Sequence, residues 1–187
     1  MSVKSFSASQ AQVLVVDMQQ SLYPVLYGAA RVLQKSRTLL TCAQLMDVPI
    51  TFVEQYPQGL GKTHADLAGF ISVCFEKTTF SALQQPDLAQ HIADIKQQQN
   101  RPDLILLGCE SHVCLLQTAL GAMTLGYNVV VVWDATASRY EADRSLAKTR
   151  LEQAGCQLVS TEMLVFEWLQ GRSHANFKQM IELIRQH

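Results

Sequence analysis

The stretch LILLGCESHVCLLQTAL, residues 104–120, decides the fold. Leu104–Leu107 is a continuous apolar run between Pro102 and Gly108, the pattern of a strand buried on both faces. From Val113 the pattern turns helical, with Val113, Leu116, Leu120 and Met123 spaced by three or four and Gly126 at the stop. Cys109, Glu110, Ser111 and His112 form a polar crossing from strand to helix. Cys114 falls in the first helical turn, where free N–H groups and the macrodipole favour an anion. A thiol there is expected to have a depressed pKa and to be a nucleophile. The competing reading is a small buried hydrophobe.

Outward from this stretch, strands and helices alternate. Val13–Val16 reads as a buried strand ending in Asp17, and Ala29–Ala43 as an amphipathic helix broken before Pro49. Ile50–Val53 is a second strand, followed by loop chemistry in EQYPQGLGKTH, 54–64. Ile71–Phe75 reads as a third strand delivering Lys77 into the next loop, and Leu88, Ile92 and Ile95 mark a helical face ended at Arg101–Pro102. Val129–Val132 is a fifth strand, Glu141–Ala154 a helix stopped by Gly155, and Gln157–Ser160 a sixth strand. Met163–Leu169 and Phe177–Ile184 close the chain as helices. The expectation is a single domain over 1–187, an α/β doubly wound, Rossmann-like six-stranded parallel sheet with helices on both faces.

Such sheets bind ligands beyond the carboxyl ends of their strands. Asp17, Lys77 and Cys114 should then share one rim, a carboxylate, a cation and a thiol far apart in sequence. Each has a duller reading: a turn cap, a solvated lysine, a core cysteine. All three together would require coincidence at the one edge where sites form.

Composition narrows the classes. With 48% hydrophobic and 17% charged residues the chain is a globular protein rather than a disordered one. A formal net charge of −1, without a basic run, argues against a nucleic-acid partner. The cysteines, at 42, 74, 109, 114 and 156, are odd in number and lack framework spacing, which fits reduced thiols. MSVKSFSASQ has no signal-peptide core and no run is long enough for a membrane span, so a cytoplasmic protein is the expectation.

Three segments together resemble the isochorismatase-like cysteine hydrolases, the superfamily that includes nicotinamidases and N-carbamoylsarcosine amidase. They are VLVVDMQ at 13–19, FEKTTFSAL at 75–83, and GCESHVCLLQTAL with LGYNVVVVWDATASR across 108–139. The match spans nearly the whole chain, and EQYPQGLGKT and ESHVC are most similar to the small isochorismatase-domain proteins. The resemblance implies a triad of Asp17 as proton acceptor, Lys77 as its counter-charge and Cys114 as nucleophile. It also implies a cis peptide at Cys109–Glu110 and an oxyanion hole from the backbone N–H groups of Glu110 and Cys114. Nicotinamidases hold a metal through an Asp and two His after strand two. Here that loop offers His64, with Glu54 and Asp66 loosely disposed, so the expectation is no metal and no cofactor. True isochorismatases lack the cysteine, and Cys114 argues against vinyl-ether hydrolysis.

The expected activity is metal-independent hydrolysis of a small amide-like C–N bond. The alternatives are another activated bond, such as an ester or thioester, and a binding or scaffold protein that keeps the fold. Gln19, Tyr56 and Phe80 are candidates for the substrate pocket. Ser111 is expected to cap the helix, His112 to pack rather than act as an acid, and Asp134 and Arg139 to fix the loop after strand five. Glu110 is open between facing substrate and bridging subunits. Phe166, Trp168 and Phe177 suggest a homo-oligomer interface, with packing inside one subunit the rival reading.

Overall fold

The structure, a computed structural model, describes residues 5–185. The elements in chain order are β1 (Ala11–Val16), α1 (Ala29–Leu45), β2 (Ile50–Gln55), the single turn α2 (Pro57–Leu60), β3 (Cys74–Lys77), α3 (Pro86–Gln98) and β4 (Asp103–Cys109). They continue as α4 (Cys114–Thr124), β5 (Asn128–Ala137), α5 (Glu141–Ala154), β6 (Gln157–Val159), α6 (Thr161–Leu169) and α7 (Phe177–Arg185). The six strands form one sheet in the order β3-β2-β1-β4-β5-β6, every pairing parallel. The order reverses between β1 and β4, which makes their carboxyl ends the switch point where doubly wound sheets hold ligands.

The central strands read as unbroken apolar runs because both faces are covered. Val13 and Val15 of β1, Ile105 and Leu107 of β4, and Val130 and Val132 of β5 enter the core shared with α1, α6 and α7. The alternate residues Leu14, Val16, Leu104, Leu106, Val129 and Val131 enter the second core with Leu88 and Ile92 of α3, Leu115 and Ala119 of α4, and Leu151 of α5. Side chains two apart share a face, so each strand feeds both cores in turn.

Three expectations shift. β3 covers Cys74–Lys77 rather than Ile71–Phe75, so Lys77 ends the strand instead of following it. β3 is the sheet's edge and largely uncovered, and its limits follow its pairing with β2, Phe52 to Cys74 and Gln55 to Lys77, not an apolar run. β5 runs past Val132 to Ala137 through a bulge: β4 advances two residues from Leu106 to Gly108 while β5 advances five, from Val131 to Thr136. Arg144 of α5 holds that bulge, donating to the carbonyls of Trp133 (2.6 Å) and Thr136 (3.3 Å) with its guanidinium stacked on the Trp133 ring. Trp168 is buried in the first core and Phe177 packs against it, so of the three aromatics offered as an interface Phe166 alone stays exposed. No helix among the described residues is long and apolar enough to cross a membrane.

Candidate functional site

Gly108 creates the switch-point geometry. Its φ is +119°, and a Cβ there would stand 2.0 Å from the Val16 carbonyl oxygen. Only glycine lets β4 approach β1 this closely. Just beyond, Asp17 leaves β1 with φ +50°, an uncommon left-handed conformation that Asp tolerates better than most residues. Its N–H is tied to the Val53 carbonyl at 3.1 Å.

Lys77 reaches Asp17 from β3, two strands away. The pair is buried, with Nζ 2.8 Å from Asp17 Oδ2. The ammonium also donates to Gln55 Oε1 at 2.6 Å and to the Thr79 carbonyl at 3.3 Å. Its three N–H groups therefore have three acceptors. Asp17 Oδ1 is buried and takes no N–H or O–H donor among the described residues; the Cys114 thiol is the carboxylate's other hydrogen-bonding neighbour. The three residues expected at one rim are thus in one cluster.

The charges balance less simply than a helix N-terminus suggests. Burial raises the Asp17 pKa above the usual carboxylate range, opposed by Lys77 and by the hydrogen bonds from Lys77 and Cys114. Cys114 is pushed up to about 12, first by burial and then by the Asp17 charge, with Lys77 pulling it down. The expectation of a depressed thiol pKa is therefore overturned. Lys77 and Asp17 lie in ion-pair contact, and beside them the thiol is pushed up by its burial and by the facing carboxylate.

The crossing between β4 and α4 contains the cis peptide Cys109–Glu110. The Ser111 N–H donates to the Ala137 carbonyl at 2.7 Å, and the amides of Val113 and Leu115 both donate to the Glu110 carbonyl. Those of Glu110, His112 and Cys114 donate to no acceptor among the described residues. Ser111 does not cap the helix: Val113 is the N-cap, without a side-chain bond, and the Ser111 hydroxyl is buried without a partner among the described residues. Two intervening residues let the backbone, not Ser111, lead into the helix. His112 is held by polar partners rather than by packing alone, Nδ1 sharing a hydrogen bond with Ser138 Oγ at 2.9 Å and Nε2 lying 3.9 Å from Asp143. Glu110 pairs with Arg139 at 2.7 Å across the mouth of the crossing. Asp134 accepts from the N–H and hydroxyl of Thr161 and anchors the start of α6.

Of the pocket candidates, Gln19 is corrected. It is buried, and its amide is consumed by the Gln55 N–H and carbonyl and the Gly61 carbonyl. A side chain so committed braces the loop instead of facing a ligand. Tyr56 is half-exposed and borders a small cleft with Gln58, Glu76, Lys77, Thr78 and Gln85. Phe80 is half-exposed in the loop after β3. Around the loop after β2, Glu54 is spent on Thr63 and Lys62, His64 Nδ1 accepts from the Asp66 N–H, and Asp66 faces Arg37. No group of three His, Cys, Asp or Glu among the described residues is arranged to hold a metal ion. Two residues at or near the site escaped the sequence reading, Gln55 and Arg144. Gln55 has a signal only in the strand register, which sets it opposite Lys77.

Residues 11–163 match the family model described as the isochorismatase domain. The chain belongs to the isochorismatase family. It is 34% identical over 170 residues to isochorismatase domain-containing protein 2A of Mus musculus, covering 91% of this chain and 80% of the mouse protein. The Bos taurus isochorismatase domain-containing protein 2 is 35% identical over 176 residues, 94% and 83% of the two chains. Among solved structures, the MAR1 ribonuclease of Caenorhabditis elegans superposes with a TM-score of 0.90 at 31% identity, over 97% of this chain and 93% of its own. YcaC of Pseudomonas aeruginosa, solved with hexane-2,5-diol and covalent acrylamide, shares the fold with a TM-score of 0.84 at 20% identity, over 100% and 98%. The isochorismatase family is one of hydrolases, and this chain has its fold.

Proposed function

We propose that this isochorismatase-family protein is a metal-independent cysteine hydrolase that cleaves a small amide-like C–N bond. The observation that carries the reading is the buried cluster of Asp17, Lys77 and Cys114 beside crossing amides left without acceptors. As the Cys114 sulfur attacks the carbonyl carbon, Asp17 takes the thiol proton. The carbonyl oxygen gains charge and is met by the N–H groups of Glu110 and Cys114. The C–N bond breaks, the amine leaves with the proton from Asp17, and a thioester remains on Cys114. Water then attacks the thioester, giving one proton to Asp17, and the acid departs as that proton returns to sulfur. Lys77 favours the charged form of Asp17 and holds the carboxylate steady while the proton moves.

A neutral, compact substrate suits this site. Lys77 has no donor left for a substrate anion, and the chain's formal net charge of −1 lacks the basic surface that RNA requires. The ribonuclease named for the nematode relative is therefore not the activity proposed here. The Escherichia coli YcaC product is described as an octameric hydrolase. A cytoplasmic homo-oligomer is our reading for this chain too, supported by half-exposed Phe80 and Phe166 and by Tyr140, which is more exposed still. The test is a panel of small amides, imides and ureides assayed for ammonia release, with esters and thioesters alongside. Amide turnover lost in Cys114→Ala is expected. Turnover of esters or thioesters alone would move the reading to those bonds, and turnover untouched by Cys114→Ala would refute it.

A further inference from the structure

We propose that Gln55 is a positioning residue for this chemistry, a neutral clamp that fixes the Lys77 ammonium on Asp17; the role rests on the cysteine-hydrolase reading above. The Gln55 Oε1 contact, at 2.6 Å, is the shortest that Nζ makes. Gln55 is itself held on every side. Its Nε2 donates to the Thr78 carbonyl at 3.0 Å, and its N–H donates to Gln19 Oε1 at 2.7 Å. Gln19 Nε2 returns to the Gln55 carbonyl at 3.0 Å, and the Gln19 N–H donates to the Asp17 carbonyl at 2.9 Å. Asp17, Lys77, Gln55 and Gln19 therefore form a closed ring of hydrogen bonds joining the ends of β1, β2 and β3. A side chain in such a ring has one position to offer the ammonium, as precise catalytic geometry demands.

The choice of an amide has a chemical consequence. A carboxylate at the same position would hold the lysine equally well. It would also place a second anion facing Asp17 and Cys114, raising the proton affinity of both. Gln55 supplies the acceptor without the charge. With its third donor occupied, Lys77 cannot turn to the carbonyl oxygen of a substrate, and that oxygen is left to the backbone amides. The lysine then acts on Asp17 and on the Cys114 sulfur, not on the substrate oxygen.

The test uses the full chain with acrylamide, a neutral amide, as the probe. The rate constant for Cys114 modification is followed by peptide mass spectrometry between pH 6.5 and 10, and melting temperature is recorded in parallel. In Gln55→Glu the pH profile should move up by about one unit, so that labelling at pH 8 slows about tenfold. In Gln55→Leu, which removes the acceptor without adding charge, the rate should fall about threefold across the range, less than in Gln55→Glu. Gln55→Glu keeps an Oε1 acceptor and carries the test if Gln55→Leu fails to fold. A merely structural glutamine would change the melting temperature and leave the profiles superimposed, and that result overturns the proposal. Wild-type protein that acrylamide does not modify at Cys114 would instead overturn the hydrolase reading, and the role of Gln55 with it.

Discussion

Replacing Lys77 with methionine isolates the energetics of the site. The pair it breaks is buried on both sides at 2.8 Å, and methionine fills the lysine's path without its charge. Removing one partner of a buried pair leaves the other uncompensated and costs about 3–5 kcal/mol. Most of that belongs to the Asp17 charge, so the cost must depend on pH. Asp17 already has a raised pKa, because burial outweighs Lys77; without the lysine it rises further. In the unfolded chain it titrates near pH 3.9, so between there and its folded pKa the folded variant binds the extra proton. Stability therefore falls as pH rises, by up to about 1.4 kcal/mol per unit for one proton, and levels off above the folded pKa. The deficit against wild type should be about 1 kcal/mol near pH 4, for the lost hydrogen bonds, and about 3–5 kcal/mol near pH 7. Urea unfolding at four pH values measures it. The double variant Asp17→Asn with Lys77→Met removes both charges and should flatten the curve. A deficit of the same size at pH 4 and pH 7, or a double variant as steep as the single one, would refute this account of the pair.

Three further outcomes follow from the same geometry. Free in solution, exposed Cys74 should react with iodoacetate before Cys114, because Cys114 is buried and its thiol is pushed up to about 12; peptide mapping that finds Cys114 modified first would mean that the thiol is ionised at rest. Gly108→Ala forces a Cβ to within 2.0 Å of a backbone oxygen at φ +119°, and should destabilise by about 3–6 kcal/mol as strain and overpacking combine; a loss under about 1 kcal/mol in urea would show that β1 and β4 separate freely. Exhaustive chelation should leave amide turnover unchanged, since Glu54, His64 and Asp66 are engaged with other partners; turnover lost on chelation and regained with zinc or iron would reverse the metal-independent reading.

The sheet was legible because its central strands are covered on both faces, which turns burial into unbroken runs such as Val13–Val16 and Leu104–Leu107. The same criterion misplaced β3, an edge strand whose limits come from pairing with β2. Asp17, Lys77 and Cys114 could be assembled from topology, since each lies at or just past the carboxyl end of a strand. Electrostatics could not. The helix N-terminus around Cys114 is visible in sequence, whereas the burial and the facing carboxylate that raise its pKa are properties of the packed site. Ser111 illustrates a finer limit: a good capping residue type sits two positions short of the N-cap the backbone actually uses. Gln55 and Arg144 needed a register and a bulge, respectively, before their partners could be named.

In the proposed reaction a thiol pushed up to about 12 is compatible with a nucleophile, because its proton passes to Asp17 rather than to water. Burial raises the proton affinity of Asp17 and of Cys114 together, and the barrier to transfer depends on the difference between them. Moving the proton from sulfur to Asp17 leaves the cluster's net charge unchanged: Lys77 balances one anion before and after, first on oxygen and then on sulfur. No unpaired charge is created in a buried place, which is the expensive event in such surroundings. In the proposed reaction the new anion appears beside the Cys114 and Glu110 amides only as a carbonyl arrives to share it, so stabilisation would be concentrated in the transition state. A reagent that needs a pre-formed thiolate meets the full proton affinity of the thiol. A substrate whose carbonyl oxygen reaches those amides meets only the difference.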